Sequence, residues 1–417
     1  MGARTVFLLL TTILGLVSCE DVDDSKYAEY LVAKPIKMSV SEFKNSVDFI
    51  APVPMGESGK IYVYENFIFV NDKHKGVHII DNRNPHAPKK IGFIKIPGNV
   101  DISVRDNFLY ADSITDLIVL DISDIDHIKM VNRLENVLRD NVVFPFRADI
   151  FEWQEIDYQN EIVIGWETVV ERRLIEDVQP VFSGQFELAF ADAARSQSQP
   201  TTGQGGSLAR FMIVNDYLYA VDSHNINVFN IQDLADPQDL EDVYAGFDIE
   251  TIFNRGNQLF LGSRRGMYIY DISSPATPSL ISEFQHGTAC DPVVVDGDYA
   301  YVTLRGGNMC GATESGLFIV DISDIANPVL AETYPMDGPY GLGIKDEKLF
   351  VCDGSSGLKV YDKTDIENLV PLNHFKDIDA FDVIPLEKNL LMVGAEVIYQ
   401  YEYLEDTIKL LSTLNLN

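Results

Sequence analysis

The sequence predicts an all-β repeat fold, and three observations predict it. A strand-like segment ending in Asp or Asn recurs along the chain, closing at Asp81, Asp121, Asn230, Asp271, Asp321 and Asp362. An aromatic-rich strand precedes each copy: FIFVND, FLYADS, YLYAVDS, LFLGS, AYVTLR and LFVCDG. Successive closing residues are 40, 109, 41, 50 and 41 apart. A unit of about 41 residues built from four short strands is the length of a propeller blade. Seven units fit between about Gly59 and the C-terminus, the last being the weaker copy EVIYQYEYLED. The spacing therefore predicts a seven-bladed β-propeller. Ring closure hides the sheet edges that single blades would expose.

Each irregularity in the spacing has its own explanation. The interval of 50 holds nine extra residues in the loop RGGNMCGATESG, Arg305 to Gly316. The interval of 109 holds 68 more than one unit, an insertion at 138–206 between the second and third repeats. An eight-bladed ring, with one further blade in that interval, is the alternative. The insertion contains one long strand-like run, Glu161 to Val178, and the low-complexity stretch ARSQSQPTTGQGGS, which reads as mobile. The propeller domain is placed at 37–417. Lys37 to Ile50 is expected either to complete a blade or to form a short helix.

Composition narrows the class. The 417 residues are 46% hydrophobic and 11% aromatic, enough for a large core. The formal charge is −32 and the pI near 4.4. Nucleic-acid binding needs clustered Lys and Arg, so this balance argues against it. Residues Val6 to Val17 form an apolar run behind Arg4, too short to span a bilayer and laid out like a signal peptide, 1–18. Leu16-Val17-Ser18-Cys19 resembles a bacterial lipobox, which makes Cys19 the expected lipidation site. Glu20-Asp21-Val22-Asp23-Asp24 looks like the acidic export signal of Bacteroidetes-type surface lipoproteins, within a flexible tether at 19–36. The expected location is thus the outer membrane, facing outward, with the lipid as the membrane contact.

The strand motifs LFIVD, IIDN and IVLDIS, with IPGNVDISVRDNFLYADS, resemble the LVIVD-repeat family of bacterial lipoprotein propellers. The resemblance covers most of the chain from about Lys34. It implies the fold, and it implies at most a surface or adhesion role. The last unit departs from the pattern, its Asp being replaced.

Candidate chemistry follows from position in the repeat. The strand-closing Asp, followed by Ile-Ser-Asp and then Pro, recurs in almost every unit, as a turn would and a single site would not. Asp72, Asp112, Asp222 and Asp353 sit near the ends of second strands. On one rim they would offer oxygens to Ca²⁺; alternatively each caps its own loop or bonds the next blade. Asp101, Arg210, Glu250, Asp291 and Tyr340 fall at channel-side positions, and Arg264 and Arg305 in rim loops. Cations in an acidic protein can select a carboxylate or uronate, or simply pair with their neighbours. The seven histidines form no metal-binding motif, and no nucleophile elbow or phosphate loop is present. Cys290 and Cys310 are expected to form a disulfide across a 21-residue loop, worth about 3 kcal/mol. Cys352 reads as a buried small hydrophobe. The best reading is a non-catalytic binding or adhesion module for an extracellular protein or glycan. A scaffold subunit of an outer-membrane complex and a Ca²⁺-dependent glycan-active enzyme are the alternatives.

Overall fold

The computed structural model describes residues 26–141, 148–153, 156–174, 191–192, 202–285, 292–306 and 315–417. Among them, seven antiparallel blade sheets follow one another along the chain, five of four strands, that of blade 1 extended to six and that of blade 3 to five. Blade 1 comprises Ser58–Tyr64, Phe67–Asp72, Gly76–Asp81 and Lys89–Lys95. Blade 2 runs from Ile102–Arg105 to Lys129–Leu134, and blade 3 starts at Phe211–Val214. The outer edge of blade 3 is split between Gln238–Asp239 and Val243–Tyr244. Blades 4 to 7 begin at Ile249–Arg255, Val293–Asp296, Leu342–Lys345 and Asp382–Pro385. The first strand of each blade touches the first strand of the next, and that of blade 7 touches that of blade 1. The sheets thus form a closed ring around a central channel.

Apolar side chains alternate along the strands so that both faces of each sheet meet a neighbour. Blades 7 and 1 close the ring through Met55, Ile61 and Val70 packed with Ile384, Leu391, Val393 and Leu416. Equivalent clusters fill the gaps between blades 1 and 2, 2 and 3, and 3 and 4. No strand is borrowed across this seam, because each blade is built from one continuous stretch of chain. Asp48–Ile50 pairs instead with the outer strand Lys89–Lys95 of blade 1, and Val40–Lys44 is a short helix capped by Ser39. The helix expected within residues 37–50 is present, but the segment completes no blade, because Asp48–Ile50 adds to one that already has four strands.

The strand-closing residues are turn caps. Asp81, Asp121, Asn230, Asp271, Asp321 and Asp362 each accept a hydrogen bond from the backbone N–H two residues on. The next amide, as in Ile122, Ile231, Ile272 and Ile322, donates to the hairpin turn between the first two strands. The two turns of each blade are thereby tied together.

Two boundaries differ from expectation. Tyr27–Ser39, expected to be tether as far as residue 36, is a strand paired along its length with Glu161–Leu174 of the insertion. Ile150–Phe151 adds a third strand. The acidic run that suggested a tether ends at Asp24; beyond it, β-forming residues such as Tyr30, Leu31 and Val32 find a partner strand. The insertion also begins as core, since Val137 and Leu138 pack between blades 2 and 3. The small sheet rests on the propeller through Phe43 and Ile114, with Met38, Ile162, Ile164 and Trp166 around them.

Candidate functional site: the channel and the loop face

Thr202 to Leu208, the end of the insertion, passes through the channel. Thr202 bridges to Arg105, and Gly203 N donates to Val104 O (2.9 Å), both in blade 2. Gln204–Gly205 pairs with Val63 and Tyr62 of blade 1, and Gly206 N donates to Ile61 O (3.2 Å). Ser207 Oγ then accepts from Leu342 N of blade 6 (2.7 Å). The stretch expected to be mobile is, from Thr202 onward, a plug. Its glycines permit the close approach: a Cβ on Gly203 would lie 2.2 Å from the Tyr62 ring, and one on Gly206 1.9 Å from Asp382 Oδ2.

Strand register divides the channel candidates. Ile61, Ile102, Phe211 and Val383 occupy equivalent places opposite Val70, Ala111, Ala220 and Met392. The residues just before them, Lys60, Asp101, Arg210 and Asp382, therefore form a charged belt across blades 7, 1, 2 and 3. Glu250 and Tyr340 fall one residue earlier than this position, Glu250 at a bulge in its strand and Tyr340 ahead of the strand Leu342–Lys345. Asp101 accepts from Lys60 Nζ (3.4 Å), from the backbone N–H of Arg210, and from Phe211 N (3.0 Å). It thus clamps blade 3 to blade 2. Asp101, Arg210 and Glu250 are all buried. Their burial places them in the joints between blades rather than on a surface a ligand meets.

The second-strand acids do not gather. Asp72, Asp222 and Asp353 share one register, but Asp112 is one residue out of step, so it faces the other way. Each is occupied within its own surroundings. Asp72 accepts from Gly56 N (2.8 Å) and Glu57 N (3.1 Å), and Asp353 from Gly338 N (2.8 Å) and Lys359. Asp222 accepts from His224 N (2.9 Å) and Asn225 N (2.7 Å). Asp112 accepts from Val100 N (2.8 Å), Asp101 N (2.9 Å), Asn99 and Asn141. Burial pushes the Asp112 carboxyl above its ordinary range. At Asp72 burial acts in the same direction but is outweighed by His78 and the two amides, leaving the group below it. Among the described residues no three His, Cys, Asp or Glu side chains converge on a point that could hold a metal ion.

Two candidates do come together at the channel mouth. The Arg305 guanidinium lies 4.1 Å from the centre of the Tyr340 ring, and Tyr340 packs against Phe381 at 5.0 Å. Thr303 Oγ1 donates to Tyr340 O (2.5 Å), fixing the loop that carries the ring. Lys73, from blade 1, is lowered by burial; Glu57 opposes that shift and the charge of Arg305 adds to it. Arg264 lies 3.9 Å from Asp248. Cys352 is buried in a second strand. Cys19, Cys290, Cys310 and Asp291 lie outside the described residues, and the disulfide expectation with them.

The closed ring of four-stranded sheets defines the class, a β-propeller. Residues 55–93, 98–135, 252–285 and 286–335 match the LVIVD repeat. The chain thus carries four matches to the LVIVD repeat. It is similar to Kluyveromyces lactis Hsv2 (12% identity, TM-score 0.48, covering 86% of this chain and 100% of that one). It is similar also to Saccharomyces cerevisiae Sqt1 (9%, TM-score 0.49, covering 87% and 89%) and to the designed protein Ika8 (10%, TM-score 0.48, covering 88% and 89%). No curated protein matches the sequence.

Proposed function

We propose that this propeller is a binding module, held at the cell surface by a lipid on Cys19, that engages an acidic extracellular protein or glycan through its loop face. The reading is supported by the loops joining second to third strands and one blade to the next, which emerge together there. The observation that carries it is Arg305. In a chain of formal charge −32, this arginine stacks on Tyr340 and makes no ion pair among the described residues. A guanidinium stacked on a ring keeps its donor edge for a carboxylate. Among the described residues the channel belt of Lys60, Asp101, Arg210 and Asp382 is buried, which favours the loop face over the channel.

Binding of the purified protein to an array of acidic and neutral glycans and proteins tests this. Arg305→Ala and Tyr340→Ala are expected to weaken the acidic ligands at least about tenfold. Unchanged binding in both variants overturns the reading. Cys19→Ser is expected to release the protein from the membrane fraction; retention there refutes the anchor. A second reading, a scaffold subunit of an outer-membrane complex, is favoured by the insertion sheet, where Val170 is 66% and Trp153 39% exposed. Val170→Asp would then abolish a co-purifying complex while leaving ligand binding intact.

A further inference from the structure

Between blades 3 and 4 the loop face carries an aromatic cluster that the core does not absorb. Tyr244 is 58% and Phe247 49% exposed. The Phe247 ring meets His224 at 5.6 Å and Tyr244 at 6.0 Å, both edge-on. The Arg265 guanidinium lies 5.2 Å from its centre. By contrast, the exposed Leu280, Val329, Leu330 and Val370 are aliphatic and sit on outer strands.

The backbone holds Phe247 outward. Gly246 has φ 137° and Asp248 φ 55°, so left-handed residues flank it on both sides. A side-chain-bearing residue such as Asp248 rarely adopts that conformation, and such positions concentrate at binding sites. The loop is also tied down at both ends. Ala245 N and Gly246 N donate to His224 O (2.8 and 3.3 Å), Ile249 N to Ser223 O (3.1 Å), and Arg264 N to Asp248 O (3.2 Å). The rings are thus presented on a fixed mount, and a ligand need not order them. Asp248 is matched with Arg264. Arg265 makes no ion pair with a described residue and is left as the available cation.

We propose that Phe247, Tyr244, His224 and Arg265 form a binding site for a hexuronate-containing glycan. The C–H face of a pyranose ring is flat and weakly positive, and it stacks on the electron-rich face of an aromatic ring. Phe247 supplies that face. The carboxylate on the same sugar meets Arg265, whose forked donors match it in a bidentate pair. The Tyr244 hydroxyl and the His224 imidazole border the ring and take its hydroxyl groups. The proposal rests on the reading that the loop face binds acidic ligands, and it adds sugar-reading contacts at the border of blades 3 and 4 to the carboxylate contact at Arg305.

The test is calorimetric titration of the mature protein with a uronic acid trisaccharide, the matching neutral trisaccharide, and an acidic tripeptide. The uronate is expected to bind most tightly. Phe247→Ala should weaken it at least about tenfold, and Phe247→Tyr should restore it. Arg265→Gln should remove the preference for uronate over the neutral sugar. Phe247 is a surface side chain, so its variants should melt as the parent does. The proposal is overturned if the parent does not bind the uronate, if Phe247→Ala binds it within about twofold of the parent, or if the tripeptide binds equally well. Loss of binding in Arg305→Ala but not in Phe247→Ala would leave the loop-face reading standing and sink this site.

Discussion

Gly206→Ala tests whether the channel plug is part of the folded core. The new Cβ would lie 1.9 Å from Asp382 Oδ2 and 2.7 Å from its Cγ, and Asp382 is fully buried. Gly206 does not occupy the left-handed region, so any cost is steric. The carboxylate must move, and with it the bonds it accepts from Ser207 N (3.4 Å) and Val383 N. Overpacking costs about 1–3 kcal/mol and a disturbed bond to a charged acceptor about 1 more, so about 2–4 kcal/mol is expected in all. Gly338→Ala is the control. Nothing lies within 4 Å of its added Cβ, and it too avoids the left-handed region. Reduced freedom in the unfolded chain should leave that variant stabilised by about 0.4–1 kcal/mol. Urea unfolding followed by far-ultraviolet circular dichroism measures both. Hydrogen exchange at the Gly203 and Gly206 amides, bonded to Val104 O and Ile61 O, reports the plug itself. If Gly206→Ala unfolds within about 0.5 kcal/mol of the parent and both amides stay protected, the packing argument is wrong.

Arg133→Ala strands Asp116. The pair is 2.8 Å apart with both side chains under a tenth exposed, so the loss should reach about 3–5 kcal/mol in chemical denaturation. Arg133 also lies over Phe43, whose cluster includes Trp166, so the tryptophan emission should shift with it. Asp112→Asn places an amide donor against Asn141 or Asn99, because both Asp112 oxygens accept from side-chain amides. A cost of about 1–3 kcal/mol is expected at neutral pH. The Asp112 carboxyl is raised in the folded state. Its contribution is therefore greatest below the unfolded pKa and is lost as pH rises through the folded value, a slope the Asn variant should lack. The turn acids behave oppositely. Ser273 holds the Asp271 carboxyl below its ordinary range, so its stabilisation is present above the unfolded pKa and fades as pH falls through the folded one. Asp271→Asn should keep the turn, as Asn230 does naturally, and flatten that acid dependence in thermal melts. Asp271→Ala should lose both the turn bond and the dependence.

The repeat was legible because its marker has one local job. A turn that must satisfy an amide two residues on needs a short side chain bearing an oxygen, and Asp or Asn supplies it at every copy from Asp81 to Asp362. The interaction is contained within three residues, so it survives as a pattern in the sequence. The N-terminal strand was not legible as a strand. Its partner, Glu161–Leu174, lies more than a hundred residues away, and the sequence shows the β-forming residues without the pairing.

The candidate site was legible only in part, because face mattered more than position. Successive strand residues point to opposite sides, so a one-residue offset separates Asp112 from Asp72, and Glu250 and Tyr340 fall one residue off the position of Asp101 and Arg210. The repeat pattern tolerates that offset, and the geometry does not. The aromatic pair Tyr244 and Phe247 was missed for a related reason: it lies on the split outer edge of blade 3 and the connection that follows, outside the repeated pattern. The plug shows the deeper limit. Gly203, Gly205 and Gly206 look like a linker because they bring almost no apolar surface of their own to bury. They are ordered here because the channel walls supply the surface and leave too little room for side chains. Three glycines in four residues signal flexibility when the chain is alone and close approach when something surrounds it. Only the ring, assembled from blades on both sides of the insertion, decides between the two.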